Sequence, residues 1–246
     1  MSLLRKNCFY KIKYGLCISS RYTLKTDLTL KRLCISKSSN LFGFYNTYVR
    51  DFHFKCWKCQ HIAKEKPSLF CHNCTVIQSS EEQNFNYFEL FNLELNYSID
   101  IGILTTNFRK LQSLIHPDKF SNKTKEEKKM SENFSSILNK AYGTLINPLQ
   151  RGLYMLSLHG LNIEENPVTF EKSFLINIME WNEQIEEANS KLSLEKLQID
   201  VRDILDNTYK ELSIAFINKD FNQAKILLSR AKYFVSMLNT IKEKEL

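Results

Sequence analysis

Apolar residues recur along the C-terminal two thirds of the chain at spacings of three and four, the period of a helix with one buried face. Leu104, Phe108, Leu111 and Ile115 form one such stripe, and Phe134, Ile137, Leu138, Ala141, Tyr142 and Leu145 form a second. Between them lies Ser113-Leu114-Ile115-His116-Pro117-Asp118-Lys119-Phe120. Pro117 has no amide hydrogen and disfavours the α region at His116. The first helix is therefore expected to end near Ile115, capped at its start by Ser98 or Asp100, with His-Pro-Asp exposed in the loop beyond. After a break marked by Gly160 and Pro167, three longer stripes follow. The first holds Phe174, Leu175, Ile178, Met179, Ile185 and Leu192. The second holds Leu194, Leu197, Val201, Ile204, Leu205, Leu212 and Phe216. The third holds Phe221, Ala224, Leu227, Leu228, Ala231, Phe234, Val235, Leu238 and Ile241. A turn at Asn218-Lys219-Asp220 makes the last two antiparallel, and a three-helix bundle is the simple outcome.

Composition agrees with an all-α chain. Six glycines and four prolines in 246 residues are few for a sandwich of many turns, and 43% hydrophobic with 25% charged residues is the balance of a globular protein. No run of eighteen apolar residues exists, so no transmembrane helix and no membrane insertion are expected. The net charge of +7 is unevenly placed. Residues 1–50 carry ten Lys/Arg against Asp27 alone, residues 51–82 balance, and residues 83–246 carry twenty Lys/Arg against twenty-two Asp/Glu. The helical part is slightly acidic, which argues against a nucleic-acid partner. Residues 1–50 are basic, hydroxylated and acid-poor, as in an organellar transit peptide; a basic tail without that role is the alternative. Cys8, Cys17 and Cys34, irregularly spaced there, carry no motif.

Cys56-Trp57-Lys58-Cys59 and, eleven residues on, Cys71-His72-Asn73-Cys74 are two Cys-x-x-Cys knuckles. Each can turn both thiolates to one ion, and Zn²⁺ accepts four sulfurs tetrahedrally. Four thiolates leave no open position, so Cys56, Cys59, Cys71 and Cys74 are expected to hold a structural zinc in a small knuckle over residues 51–80. A single iron fits the same ligands. Two disulfides are disfavoured in a reducing compartment, and a redox dithiol lacks its βαβ setting. His53, His61 and His72 are read as surface residues, because the shell is already complete. Ser79 to Asn84 reads as a polar linker. There is no Gly-rich phosphate loop, no Ser/His/Asp set and no Glu-x-x-His pair, and His159 stands alone, so no catalytic centre is expected.

Two antiparallel helices joined by a loop holding His-Pro-Asp resemble the J-domain, the module that activates DnaK-type chaperones. Asn86-Tyr87-Phe88-Glu89-Leu90-Phe91 precedes the pair, as the short first J-domain helix should. Asn139-Lys140-Ala141-Tyr142-Gly143-Thr144-Leu145-Ile146-Asn147-Pro148 follows as the end of the third, with Arg151 and Tyr154 beyond. A J-like region over residues 86–158 followed at once by a bundle over 165–246 resembles the HscB family of iron–sulfur co-chaperones. Leu149-Gln150-Arg151-Gly152-Leu153-Tyr154-Met155-Leu156-Ser157-Leu158-His159-Gly160 and Ser173-Phe174-Leu175 carry that resemblance most specifically. The paired knuckles look like those of metazoan mitochondrial members.

The resemblance implies a non-enzymatic activator of a mitochondrial DnaK-type chaperone's ATPase, acting in the mitochondrial matrix. It assigns the chaperone contact to His116, Pro117, Asp118, Lys119, Arg109 and Lys110. It assigns binding of an IscU-type scaffold to Leu175, Ile176, Met179, Glu180, Glu183 and Phe234, with Asn182 standing where many members have a basic residue. A general J-domain co-chaperone for unfolded clients is the alternative. A homodimer and a cytoplasmic pool are left open.

Overall fold

The computed structural model describes residues 54–63, 66–163 and 168–244; the transit peptide assigned to residues 1–50, His53 and Pro167 lie outside them. Seven α-helices account for most of the described residues. They are α1 (Tyr87–Leu90), α2 (Ile101–Ile115), α3 (Lys125–Ile146), α4 (Pro148–Leu158), α5 (Lys172–Glu187), α6 (Lys191–Ile217) and α7 (Phe221–Lys244). A 3₁₀ turn, Pro117–Phe120, sits between α2 and α3. Strand-type pairing is limited, among the described residues, to two isolated antiparallel bridges, Lys55 with Ile62 and Phe70 with Ile77.

Local chemistry sets the helix ends. Of the two candidate caps of α2, Asp100 does the work: its Oδ1 accepts from the Ile103 amide at 3.0 Å. Ser98 pairs instead with the Ser213 hydroxyl of α6 at 2.7 Å. Thr124 and Glu127 cap α3 reciprocally, a capping box that satisfies two orphan amides. Residues 139–148 close the third helix where the sequence puts its end, at Ile146. Asn147 caps a new helix, with Pro148 at a position where a missing amide hydrogen costs nothing. Helix α4 ends in a Schellman motif: the Leu161 amide donates to Leu156 O at 3.0 Å, with Gly160 at φ 72°.

The first bundle stripe spans two helices. Leu192 does not belong to the helix of Phe174 and Ile185. Helix α5 stops at Glu187, and Ser190 starts α6 with a capping box to Ser193. Leu192 lies on α6 and is 77% exposed. Its spacing of seven from Ile185 continues the apolar period, which the hydroxyl cap overrides.

Helix α7 is the hub of the C-terminal half. It runs against α6 and also packs on α5 and α4. The turn between α6 and α7 is tight: Asp220 N donates to Ala215 O at 2.9 Å, with Lys219 at φ 57°. One continuous core spans both halves, from Phe88, Leu104 and Phe134 to Leu212, Leu228 and Ile241. Helix α4 is the join. Tyr154 Oη accepts from the Tyr87 amide at 2.9 Å, and the two rings stack at 4.3 Å. Arg151, buried, donates to Leu145 O at the end of α3 and lies over the Tyr97 ring, 5.0 Å from its centroid. His159 packs at a tilt against Phe221, ring centroids 4.2 Å apart.

Gly152 makes this approach possible. A Cβ there would lie 2.6 Å from Leu228 Cδ2 and 3.3 Å from Leu212 Cδ2, both in fully buried side chains. Gly152→Leu is therefore expected to destabilise the protein by about 3 kcal/mol, the overpacking range. Ala at the same position should fall well short of this, because its better helix propensity returns about 1 kcal/mol. Urea unfolding of both variants checks the ranking; equal midpoints would show that α4 has room to move off α7.

Candidate functional site

The His-Pro-Asp turn follows from the break at Pro117. His116 adopts φ −57°, ψ 130°, the extended conformation that a residue before proline prefers. The expected loop is a single 3₁₀ turn anchored by buried Phe120. Its hydrogen bonds are local. The Asp118 amide donates to His116 Nδ1 at 3.3 Å, and the Lys119 amide donates to His116 O at 2.9 Å. The Asp118 carboxylate lies 3.4 Å from the same ring nitrogen and is 89% exposed. His116, Lys119, Arg109 and Lys110 are also exposed, and Pro117 is half-buried. Arg109, Gln112, Ser113 and His116 form one strip along α2, and with Phe108, Asp118 and Lys119 they line a shallow depression. A cationic rim, a carboxylate and an imidazole thus share one small surface.

The second group sits on α5, where Ile178 and Ile185 face the core. On the outer side Leu175, Ile176 and Met179 are 40%, 54% and 62% exposed, and Glu180, Asn182 and Glu183 are exposed with them. Phe234 does not reach this surface. It is 7% exposed and packs edge-on against Phe174, ring centroids 6.4 Å apart. Its place at spacings of three and four from Ala231 and Leu238 puts it on the inner face of α7. The outward aromatic is its neighbour Tyr233, which meets Phe170 and Phe174 edge-on at 5.7 and 5.9 Å. Tyr233 and Phe170 lie off the stripes and carry no periodic signal.

The four cysteines come together. All four Sγ atoms lie within 4.8 Å of one another; Cys56 to Cys74 and Cys59 to Cys71 are each 3.6 Å. That is far longer than a disulfide, about 2.05 Å. It is close to the edge, about 3.8 Å, of a tetrahedron of sulfurs about 2.3 Å from a central metal. The two knuckles are built alike, fifteen residues apart. Gln60 N donates to Cys56 O and Thr75 N to Cys71 O, both at 2.9 Å; Cys56 N donates to His61 O at 2.8 Å and Cys71 N to Val76 O at 2.9 Å. Gln60 and Thr75 take the left-handed φ, 60° and 56°, that closes each turn. Further donors face the sulfurs, Gln78 Nε2 toward Cys56 at 3.5 Å and Asn73 Nδ2 toward Cys59 at 3.6 Å. Such donors favour thiolates.

Burial would raise the Cys56 thiol, but the amides of Cys59 and Lys58 and the Gln78 side chain outweigh it and bring the group to about 6. The Cys59 thiol is also lowered, first by the His61 amide. The Val76 amide favours the Cys74 thiolate, yet burial and the neighbouring sulfurs push that thiol up to about 12. A divalent cation at the centre would relieve the crowding of negative sulfurs, so the donor set fits a tetrahedral metal. His61 and His72 are exposed and no part of the cluster.

The stretch read as a linker is held in place. Gln83 is buried and pairs twice with Ser68, accepting from its amide at 2.7 Å and donating to its carbonyl at 2.9 Å. The knuckle docks on the helical part through buried Ile77, whose carbonyl accepts from Trp57 Nε1 at 2.7 Å, and through a Phe85–Phe134 stack at 6.4 Å.

Residues 170–242 match a family model described as the HSCB C-terminal oligomerisation domain. The chain is similar to the iron–sulfur cluster co-chaperone protein HscB of Mus musculus, 36% identical over 191 residues, covering 76% of this chain and 81% of that protein. It is similar to the Homo sapiens protein of the same name, 34% identical over 195 residues, covering 78% and 83%. The crystal structure of human co-chaperone protein HscB superposes with a TM-score of 0.74 at 34% identity, covering 78% of this chain and 98% of that one.

Proposed function

The chain belongs to the HscB family of iron–sulfur cluster co-chaperones, and on that premise we propose that it couples an IscU-type scaffold to a mitochondrial DnaK-type chaperone. Residues 86–158 act as the J-domain, residues 165–246 bind the scaffold, and the knuckle of residues 51–80 holds a structural zinc. The leader of residues 1–50 directs the chain to the mitochondrial matrix. His116-Pro117-Asp118 engages the chaperone in its nucleotide-bound state, with Arg109, Lys110 and Lys119 meeting an acidic surface. The ATP hydrolysis is the chaperone's; His116 acts through the shape of the turn and its hydrogen bonds, as no base.

One observation carries the scaffold half of this reading: Leu175, Ile176 and Met179 stand in solvent on a helix whose other face is fully used by the core. Apolar groups left together at a surface mark a docking site. Glu180 and Glu183 beside them restrict the partner to one offering an apolar patch with basic neighbours. Phe234 supports the patch from beneath, through Phe174.

The test is the chaperone's ATPase rate with this protein, with and without the scaffold. Stimulation is expected to rise synergistically when the scaffold is added. Leu175→Asp with Met179→Asp should leave the scaffold-independent stimulation intact and remove the synergy. Scaffold affinity should fall about a hundredfold or more, since two buried apolar side chains contribute about 3 kcal/mol or more. Stimulation indifferent to the scaffold in the unmodified protein would make it a general J-protein for unfolded clients, and no stimulation would refute the J-domain assignment.

A further inference from the structure

Pro117 leaves the end of α2 with carbonyls that no helix amide can reach. In a continuing helix Leu114 O would take the Asp118 amide and Ile115 O the Lys119 amide. The Asp118 amide instead goes to His116 Nδ1, and the Lys119 amide goes to His116 O. Ile115 is fully buried, so water does not serve its carbonyl. The partner comes from α3: Ser131 Oγ donates to Ile115 O at 2.7 Å, and Ser131 is itself fully buried.

This bond is not the habit of a helical hydroxyl. Thr105, Thr106, Thr144, Thr208, Ser229 and Thr240 all donate to the carbonyl four residues back in their own helices. Ser131 reaches across the hairpin instead, to the peptide unit immediately before His116. One turn further along the pair, Gln112 Nε2 donates to Ser135 Oγ at 3.3 Å, so α3 grips the last turn of α2 at two successive levels.

We propose that Ser131 is a positioning residue for the chaperone-activating turn. Its hydrogen bond fixes the Ile115–His116 peptide plane, and with it the direction in which His116, Pro117 and Asp118 project from α2. The proposal rests on the reading of that turn as the chaperone contact. Arg109 and Lys110 lie earlier on α2 and keep their places without the bond, so losing it separates binding from activation.

Ser131→Ala removes the donor, and Ser131→Cys removes the strong donor while keeping the volume. Both are expected to lower maximal stimulation of the chaperone ATPase about tenfold, with the half-saturating concentration shifted less than about twofold. Amide exchange of Lys119, whose amide closes the turn on His116 O, should accelerate about tenfold in both variants. Exchange at Leu138, mid-helix in α3, should stay as it was. Maximal stimulation at the unmodified level in both variants overturns the proposal. So does a Cys variant that behaves as the unmodified protein while Ala fails, since volume would then be what matters. Equal acceleration at Leu138 overturns it as well, because the loss is then one of general stability. If the unmodified protein gives no stimulation, the chaperone reading falls by itself, and the exchange ratio alone upholds or overturns the hold of Ser131 on the turn.

Discussion

His116→Gln is expected to reduce stimulation of the chaperone ATPase to the rate seen without co-chaperone, while the protein stays folded. The second half of that expectation comes from the packing. The break in the chain is made by Pro117, and the turn is anchored by Phe120, buried against the hairpin. The His116 side chain contributes no core surface, and its ring accepts only from the Asp118 amide two residues on. Replacing it should therefore cost less than about 1 kcal/mol, as for exposed residues without packing duties. The first half comes from what glutamine cannot keep. The imidazole is a rigid plane that accepts from Asp118 at Nδ1, so that in the neutral ring the remaining proton sits on Nε2. Glutamine can supply one acceptor or one donor near those places, but three rotatable bonds must be ordered to do so. Asp118→Asn is the companion variant: it keeps the shape and removes the charge that faces solvent. Thermal melting and ATPase assays on both variants check the expectation, and a His116→Gln protein that still stimulates would refute the assignment of the turn.

The fold was legible in the sequence wherever apolar spacing had no competitor. Helices α2, α3 and α7 bury the residues their stripes named, among them Leu104 and Ile115, Phe134 and Leu145, and Leu228 and Ile241. Pro117 and Asn218-Lys219-Asp220 gave two chain reversals because they act through backbone geometry alone. Spacing misleads where a short polar signal interrupts a continuing period. Ser190 ends the run from Ile185 to Leu192, so the last residue of that stripe falls on α6. Capping there is decided by one hydrogen bond, which apolar spacing does not register.

The candidate sites were legible unevenly, for the same physical reason. The cysteine ligands and the His-Pro-Asp turn are local in sequence, so spacing alone brings them together. The outer face of α5 shows in its spacing, but Phe234 lies underneath that face, and Tyr233 and Phe170 carry no periodic signal. Which side of α7 meets α5 depends on packing between segments sixty residues apart. Ser131 had no signal at all, since a serine in an amphipathic helix is ordinarily a solvated or self-bonded residue. Its role depends on a carbonyl sixteen residues earlier. The likeness of the two knuckles was half visible: the cysteines repeat at fifteen residues, whereas left-handed Gln60 and Thr75 carry no glycine to announce them.

Stripping the metal is expected to dissolve the order of residues 54–63 and 66–76 while the helices from α1 to α7 persist. The knuckle has almost no core of its own. Its buried cluster is Cys56, Cys71 and Val76, with Trp57, Cys59 and Cys74 partly covered. Val76 and the indole can contribute about 2–5 kcal/mol by burial, against about 1–2 kcal/mol of backbone entropy for each residue ordered. Binding of zinc to four thiolates supplies about 10–16 kcal/mol at neutral pH in small domains, so the metal decides whether the knuckle is folded. Acid should act as a chelator does, since each ligand must shed its proton to bind and the proton competes more strongly as pH falls. Amide exchange before and after chelation checks this: protection at Gln60 and Thr75, the amides that close the two turns, should vanish. Protection at Leu104, Leu138 and Leu228 should survive, because those residues lie in the separate helical core. Ile77 and Phe85 are the points where loss should stop, since Ile77 is buried in that core and Phe85 stacks on Phe134. Metal analysis of the purified protein distinguishes zinc from iron. Turns that stay protected once the metal is gone would show that docking on α3, and not the ion, makes the knuckle.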